Sequence, residues 1–431
     1  GGGQSGAAWS HAEGPEPEPP VDESAPAPAD EEEPPLASST RSPKRLPSMR
    51  SPGAFDSQAS CDRHLAFEGQ FNKLVNHNGF IVGLDPASAY VPDALERYGH
   101  HGAESAVADQ LEQWLSSLRT RVVTDEAFDG SRIIGAVIRI ESLKCSIDGM
   151  PLPAYLWGKK QVVPILRFSH ALGPMKKGVQ LMEVPDNADA LLDDAVNAQV
   201  FAVKTRCTIG GADRKGIRAA VRQQFEFARR VIHKGLAACL QVEVKPDARQ
   251  KEACERLLAG FLLEALGELQ AEEKVILDLS IPEEPNIFLP LIGHPCTMRV
   301  TGLSGGYGLV EACRTLEMNV GMVASFGRAF LEGLKLDQSP EEFTKTLKAT
   351  CDAMYQASMA VPTKEVQIIK VETSDGFFVA LDQTASRNDP ILQRYGVPVE
   401  TFDKGELSRK LHQMRSRIFT DPKFNGSRVI A

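Results

Sequence analysis

Polar and charged side chains stand at or near the ends of short apolar runs along the 431-residue sequence. An amine, guanidinium groups, carboxylates and an amide are the groups that acid–base chemistry and anion binding use. In a parallel α/β barrel, such groups meet at the carboxyl ends of the strands. In chain order they are Asp85, Arg167, Lys204, Arg206, Gln241, Glu243 and Asp278.

Two glycine-containing turns follow the last two apolar runs. One covers 303–306 and contains two adjacent glycines, and the other covers 325–328 and ends in an arginine. Glycine turns before helices expose backbone N–H groups that can hold a phosphate, and a guanidinium can bind the same phosphate through two hydrogen bonds. Together the turns indicate a phosphate site, although ordinary turn chemistry explains either one alone. The candidate residues are Ser304, Gly305, Gly306, Gly327 and Arg328.

Eight β-branched runs alternate with amphipathic stretches and must position these groups. Helical periodicity is clearest in 216–234 and 250–270, where apolar residues recur every three or four positions. This alternation predicts an α/β protein with a closed (β/α)8 TIM barrel, and the GxGxxG motif typical of an open doubly wound sheet does not follow the first predicted strand. The predicted strands are 79–85, 132–138, 161–167, 200–206, 236–243, 275–280, 298–303 and 320–325.

An internal repeat is present in the sequence. The run GFIVGLDPASAYVPDALERYG at 79–99 returns as GFFVALDQTASRNDPILQRYG at 376–396. A second block at 118–136 returns in the same order at 414–431. The period is far too long for a solenoid, so the repeating unit is predicted to be a whole domain.

The repeat and a change of composition predict three regions. Residues 1–60 are rich in proline, acidic and small residues, which cannot bury enough apolar surface to offset their ordering entropy. This segment is predicted to be a disordered tail or linker. Residues 61–362 are predicted to form a complete barrel, and 363–431 the start of a truncated second copy.

Charge and cysteine content exclude several classes of function. A net charge of -9 with a pI near 5.6 provides no basic footprint for nucleic acid or an anionic membrane. Eight cysteines without a CxxC pair indicate neither a zinc site nor a disulfide framework, so reduced thiols and a cytoplasmic location are expected. The sequence lacks a long apolar run and a secretory signal. Its start at Gly1 leaves an upstream organellar address open.

Several strings carry a resemblance to a known family over 68–359. They include GFIVGLD, FAVKTR, LSGGY, ASFGRAF and LDQSPEEFTKTL, in that order and spacing. This region resembles the bacterial-type class I fructose-bisphosphate aldolases. The resemblance implies a lyase of glycolysis or gluconeogenesis that needs no cofactor or metal. Such an enzyme cleaves fructose 1,6-bisphosphate into dihydroxyacetone phosphate and glyceraldehyde 3-phosphate through a Schiff base on a strand-six lysine.

The resemblance also implies roles for individual residues. Asp85, Lys204 and Glu243 match catalytic positions at the ends of strands one, four and five. In the second copy, Asp382 matches the strand-one aspartate. The positions that hold substrate phosphate are matched by Arg206, Ser304, Gly305, Gly306, Ser325, Gly327 and Arg328.

Departures from the family pattern concern its chemistry. Asp278 stands where the family has the Schiff-base lysine, Gln241 replaces a proton-transfer glutamate, and Arg167 replaces a strand-three lysine. The polar residues after the strand-one aspartate have become Pro86 and Ala87. A carboxylate cannot form an iminium, and loss of that route removes on the order of 8 kcal/mol of barrier lowering. We therefore expect the complete copy to be an inactive pseudoenzyme.

Alternatives to this interpretation rest on the same residues. Lys204 on strand four is an alternative Schiff-base amine. A metal-dependent route would need a His/Glu cluster, but His233 and His294 lie outside the predicted strand ends. Asp278 is expected to form an ion pair with Lys204 or Arg206 across the barrel mouth.

Two functions remain open at the level of sequence. In the first, the whole protein is an aldolase whose turnover another copy supplies. In the second, the barrel is a non-catalytic module that keeps sugar-phosphate binding or serves as an oligomer partner. The expected partners are sugar phosphates and other aldolase copies, either in a homo-oligomer or in a paired assembly.

Overall fold

The computed structural model describes one barrel and a few short segments outside it. Asp382, most of the predicted tail and most of the predicted second copy lie outside the described residues, so those predictions stay predictions. The first described helix begins at Ser57, inside the segment predicted to be a tail. The described ranges are 57–86, 90–168, 171–360, 392–394 and 403–420.

Each of the eight predicted runs forms a strand, and together these strands close into a barrel. Neighbouring strands pair in parallel around the ring, and the last strand returns to the first, where Ile81 pairs with Ser325. The ring is also closed between the third and fourth strands, where Arg167 pairs with Lys204. The predicted fold class is confirmed. The strands are β1 Phe80–Gly83, β2 Ile133–Ile138, β3 Val163–Arg167, β4 Ala202–Gly211, β5 Ala237–Arg249, β6 Val275–Ser280, β7 Thr297–Leu303 and β8 Val323–Phe326.

Helices surround the strands, and local sequence explains their positions. In the helix after β4, apolar residues recur at helical spacing, and the Asp213 carboxylate accepts a hydrogen bond from Gly216 N at its start. The second helix after β8 begins with Pro340 and a capping box between Ser339 and Glu342. The helices are α1 Ser57–Asn76, α2 Val91–Tyr98, α3 Ala108–Thr124, α4 Leu152–Gly158, α5 Ala188–Asn197, α6 Arg214–His233, α7 Lys251–Gly267, α8 Leu289–Ile292, α9 Leu309–Glu317, α10 Arg328–Leu331, α11 Pro340–Ser358 and α12 Lys404–Thr420.

Apolar side chains are buried in two main layers. The larger layer lies between the strands and the surrounding helices. A smaller one fills the barrel interior at its amino-terminal end, where Phe67 and Phe71 of α1 pack against it. The Arg299 guanidinium holds α1 there by donating to the carbonyl oxygens of Leu74 and Val75. The amino-terminal end is thus closed by α1, so the polar residues of the interior face the opposite end.

Strands β4 and β5 continue beyond the barrel. Their pairing extends to Gly211 opposite Arg249, past the predicted ends at 206 and 243. The two-residue strand Val179–Gln180 adds antiparallel to β4 on this extension. The Gln180 side-chain oxygen accepts hydrogen bonds from Thr208 Oγ1 at 3.1 Å and Lys245 Nζ at 2.8 Å. The extension therefore continues past the carboxyl end of the barrel and is held in place by the pairing with Val179–Gln180.

Two further features of the described region are its cysteines and the hydropathy of its helices. The cysteines of this region from Cys145 to Cys351 are free thiols. Among the described residues, no helix combines the length and apolar character that a membrane crossing requires.

Candidate functional site

Lys204 of β4 and Asp278 of β6 form an ion pair inside the barrel. The amine contacts Asp278 Oδ2, and the other carboxylate oxygen accepts a hydrogen bond of 2.6 Å from Thr301 Oγ1 on β7. The side chains of Lys204 and Asp278 are 4% and 1% exposed, so water screens the pair very little. The sequence-based expectation that Asp278 would pair with Lys204 or Arg206 is confirmed for Lys204.

Arg206, Gln241 and Glu243 form a second polar group at the mouth. The Glu243 Oε2 atom accepts from Arg206 Nε at 3.1 Å and Arg206 Nη2 at 2.8 Å. The Gln241 amide donates to the same oxygen at 3.3 Å. Both partners of the ion pair are 22% exposed at the side chain. Arg206 is thus engaged with Glu243, which leaves Lys204 as the partner of Asp278.

Asp85, just after β1, is enclosed by hydrogen-bond donors. Its Oδ1 accepts from Arg119 Nε at 2.7 Å. Its Oδ2 accepts from Arg139 N at 2.9 Å and from Ser142 Oγ at 2.6 Å. Burial alone would lower the pKa of Arg119, but the neighbouring Asp85 carboxylate raises it above its ordinary value. With both oxygens occupied in a buried ion pair, Asp85 joins β1 to α3 and to the segment after β2.

The Arg167 guanidinium, at the end of β3, lies among charges of both signs. Its Nε is buried and has no hydrogen-bond partner within the part of the chain that the structure describes. Burial lowers the pKa of Arg167, Asp85 and Asp278 oppose this shift, and Arg206 adds to it. Because a guanidinium binds carboxylate or phosphate through a planar fork, this group provides donor capacity for an anion at the mouth.

The two predicted phosphate turns come together at the last two strand ends. Arg328 is exposed, and its Nη2 donates to the Gly306 carbonyl oxygen, which ties the turn after β8 to the turn after β7. Gly305 and Gly306 have φ of 58° and 99°, a left-handed backbone that glycine adopts without strain. Consecutive N–H groups in such a turn form an anion-binding concavity. Ser304 and Ser325 are buried beside these turns at the ends of β7 and β8.

Close contact between β1 and β8 holds the second turn against the first strand. A Cβ on Gly83 would lie 2.8 Å from the Gly327 Cα, closer than two carbon atoms can approach. Glycine at position 83 therefore lets the Ser325–Arg328 turn sit directly against the end of β1.

Sequence reasoning missed three residues that hold the mouth together. Arg119 and Ser142 bind Asp85, and Thr301 binds Asp278. A signal for Arg119 exists in retrospect, because it lies on the buried face of α3 between Leu118 and Val122. A charged residue on an apolar stripe needs a buried partner.

One solved aldolase structure has a similar fold. A fructose-bisphosphate aldolase from Plasmodium falciparum, solved as a ternary complex with TRAP and a small-molecule inhibitor, matches with a TM-score of 0.57 and 14% identity. The match covers 74% of this chain and 97% of that chain. An archaeal fructose 1,6-bisphosphate aldolase matches with a TM-score of 0.41 and 13% identity, over 67% of this chain and 99% of that chain. At 14% identity the likeness to the Plasmodium falciparum structure shows the fold alone, and no family model matches the sequence.

Proposed function

We propose that the described barrel belongs to a class I fructose-bisphosphate aldolase-like protein and binds sugar phosphates without cleaving them. The buried Lys204–Asp278 ion pair is the observation that carries this proposal. A strand-six carboxylate cannot form an iminium, and an amine held as the ammonium ion of a pair has no lone pair to offer a carbonyl. Neither position therefore supports Schiff-base cleavage.

Binding depends on other groups. The glycine turn at Ser304–Gly306 needs only backbone donors, and the Arg328 guanidinium lies beside it. Arg167 supplies further donor capacity on the opposite side of the mouth. The negative charge of Asp278 would repel an anionic ligand, but the paired Lys204 ammonium compensates for it. These groups support the proposal that the barrel binds phosphate without a Schiff-base lysine.

A second candidate places turnover elsewhere in the protein. The repeat predicts another aldolase copy that begins within 363–431, and its LDQTAS string at 381–386 keeps the polar residues that became Pro86 and Ala87 in the first copy. In this version the protein is a cytoplasmic glycolytic lyase, and the described barrel is a binding or assembly partner of an active copy. A lysine on strand six of the downstream copy would favour this candidate.

Reductive trapping tests the absence of a Schiff base. We expect borohydride with dihydroxyacetone phosphate to leave the lysines of 57–360 unmodified in the full chain, as read by peptide mass spectrometry. The matched positive control is Asp278→Lys, which should gain an adduct at position 278 because it restores an amine to β6. An adduct on Lys204 of the wild-type protein would contradict the proposal.

Ligand binding tests the phosphate site separately. We expect fructose 1,6-bisphosphate to bind the full chain in a calorimetric titration, and Arg328→Ala to weaken binding by about 10- to 100-fold, since a charge-assisted hydrogen bond contributes about 1.5–3 kcal/mol. Arg314→Ala, which removes an exposed arginine on α9, is the control and should bind normally. No binding at millimolar ligand by a folded protein would rule out the sugar-phosphate function and leave an assembly role.

A further inference from the structure

Lys204 is a buried amine in the part of the barrel that faces the mouth. On β4 it pairs in register with Arg167 of β3 and Cys239 of β5. Its side chain is 4% exposed, so its charge is tolerated because Asp278 lies against it. A lysine in a desolvated site becomes nucleophilic when it loses its proton, which is how Schiff-base lysines are activated.

Asp278 is held in position to control that amine. Its Oδ1 accepts the 2.6 Å hydrogen bond from Thr301 Oγ1, while Oδ2 contacts Lys204. In register, Asp278 lies between Gln241 of β5 and Thr301 of β7. The carboxylate is thus fixed from the β7 side and cannot turn away from the amine without breaking a buried hydrogen bond.

We propose that Lys204 is a latent Schiff-base amine and that the Asp278 carboxylate keeps it unreactive by holding it in an ion pair. We call Asp278 the latch in this sense. The inference rests on the proposed function for one point only, that a keto sugar phosphate reaches the mouth. It adds that the barrel holds an amine competent for iminium formation on β4. The reactivity of that amine is set by one carboxylate.

Two effects would free the amine when the carboxylate is replaced by a neutral group. A buried ammonium without a counter-ion is disfavoured by desolvation. The guanidinium groups of Arg167 and Arg206, on the same side of the barrel, disfavour a further positive charge. Both effects favour the nucleophilic form of the Lys204 amine once the carboxylate is gone.

Reductive trapping of Lys204 requires only the amine, the ketone, solvent protons and borohydride. The Lys204 lone pair attacks the ketone carbon, and the carbonyl oxygen takes a proton to give a carbinolamine. The hydroxyl group then takes a proton from solvent and leaves as water, while the nitrogen lone pair forms the C=N bond of the iminium, which keeps its nitrogen hydrogen. Hydride from borohydride then adds to the carbon and leaves a stable secondary amine on Lys204.

Asp278→Asn in the full chain is the test. Asparagine keeps the shape of the side chain and an oxygen for the Thr301 hydrogen bond, and it removes the charge. With dihydroxyacetone phosphate and borohydride, we expect an adduct at Lys204 that stands about 100-fold above the background signal of the wild type, which gives no adduct, the order set by the loss of a buried counter-ion. Asp278→Asn/Lys204→Met should give none. Asp189→Asn, which removes an exposed carboxylate paired with Arg230, should match the wild type.

A second ketone separates this proposal from the proposed function. Dihydroxyacetone carries no phosphate, so it tests the amine without the phosphate site. Equal trapping of both ketones at Lys204 would support the latch and contradict sugar-phosphate binding. A folded Asp278→Asn protein that gives no Lys204 adduct with either ketone would overturn the latch. Asp278→Leu carries the same expectations if asparagine at this position prevents folding.

Discussion

Replacement of Arg119 by methionine is expected to lower the free energy of unfolding by about 3–5 kcal/mol, because it leaves the Asp85 carboxylate buried without its counter-ion. The two side chains are 1% and 0% exposed, so water cannot take over the lost contact. Chemical denaturation of the full chain, followed by circular dichroism, measures the change.

The chain offers a matched control for this experiment. The Arg230 Nε lies 2.8 Å from Asp189 Oδ1, almost the same geometry as the 2.7 Å contact between Arg119 Nε and Asp85 Oδ1. Both groups of the control pair are exposed, so Arg230→Met should change stability little. Equal effects of Arg119→Met and Arg230→Met would show that Asp85 is not a buried anchor.

Lys204→Met is expected to be similarly destabilising, by about 3–5 kcal/mol, because it strands Asp278 inside the barrel. The double replacement Lys204→Met/Asp278→Leu should recover this loss and is expected to equal or exceed the wild type in stability. Apolar side chains of similar volume avoid the desolvation penalty that the ion pair carries. A double-mutant cycle by chemical denaturation gives the coupling between the two positions.

The outcome of that cycle also bears on why the pair is present. If the apolar double variant is as stable as the wild type, stability alone does not account for the Lys204–Asp278 pair. If the two single losses simply add, the residues do not interact, and both the ion pair and the latch proposal fail.

The eight strands were predictable because each is a short β-branched run followed by a helical period. The continuation of β5 to Arg249 was not predictable, since the residues after Glu243 include Pro246 and three charged side chains, which are poor strand formers. They are extended because β4 pairs with them beyond the barrel and the Val179–Gln180 strand braces β4 in turn. Long-range pairing overrides local preference at this point.

The candidate site was predictable where it depends on strand ends and unpredictable where it depends on rotamers. The contact between Arg328 and the Gly306 turn follows from their places after adjacent strands. The sequence limits the partner of Asp278 to Lys204 or Arg206, and only side-chain geometry selects between the two. The Asp85 network was missed because its partners come from α3 and from the segment after β2, and no local pattern links them.

The bonds that close the amino-terminal end of the barrel have a consequence for how the chain acquires its structure. Arg299 joins carbonyl oxygens of residues as far as 225 positions earlier in the sequence, and β1 pairs with β8 across a similar separation. Contacts of such long range form late, because the loop entropy between them must be overcome first. During synthesis, the contact of α1 with Arg299 and the pairing of β1 with β8 therefore form only after β7 and β8 have left the ribosome. Until then, Phe67, Phe71 and Leu74 lack part of the apolar layer that covers them in the finished barrel, which includes Ile276 and Met298.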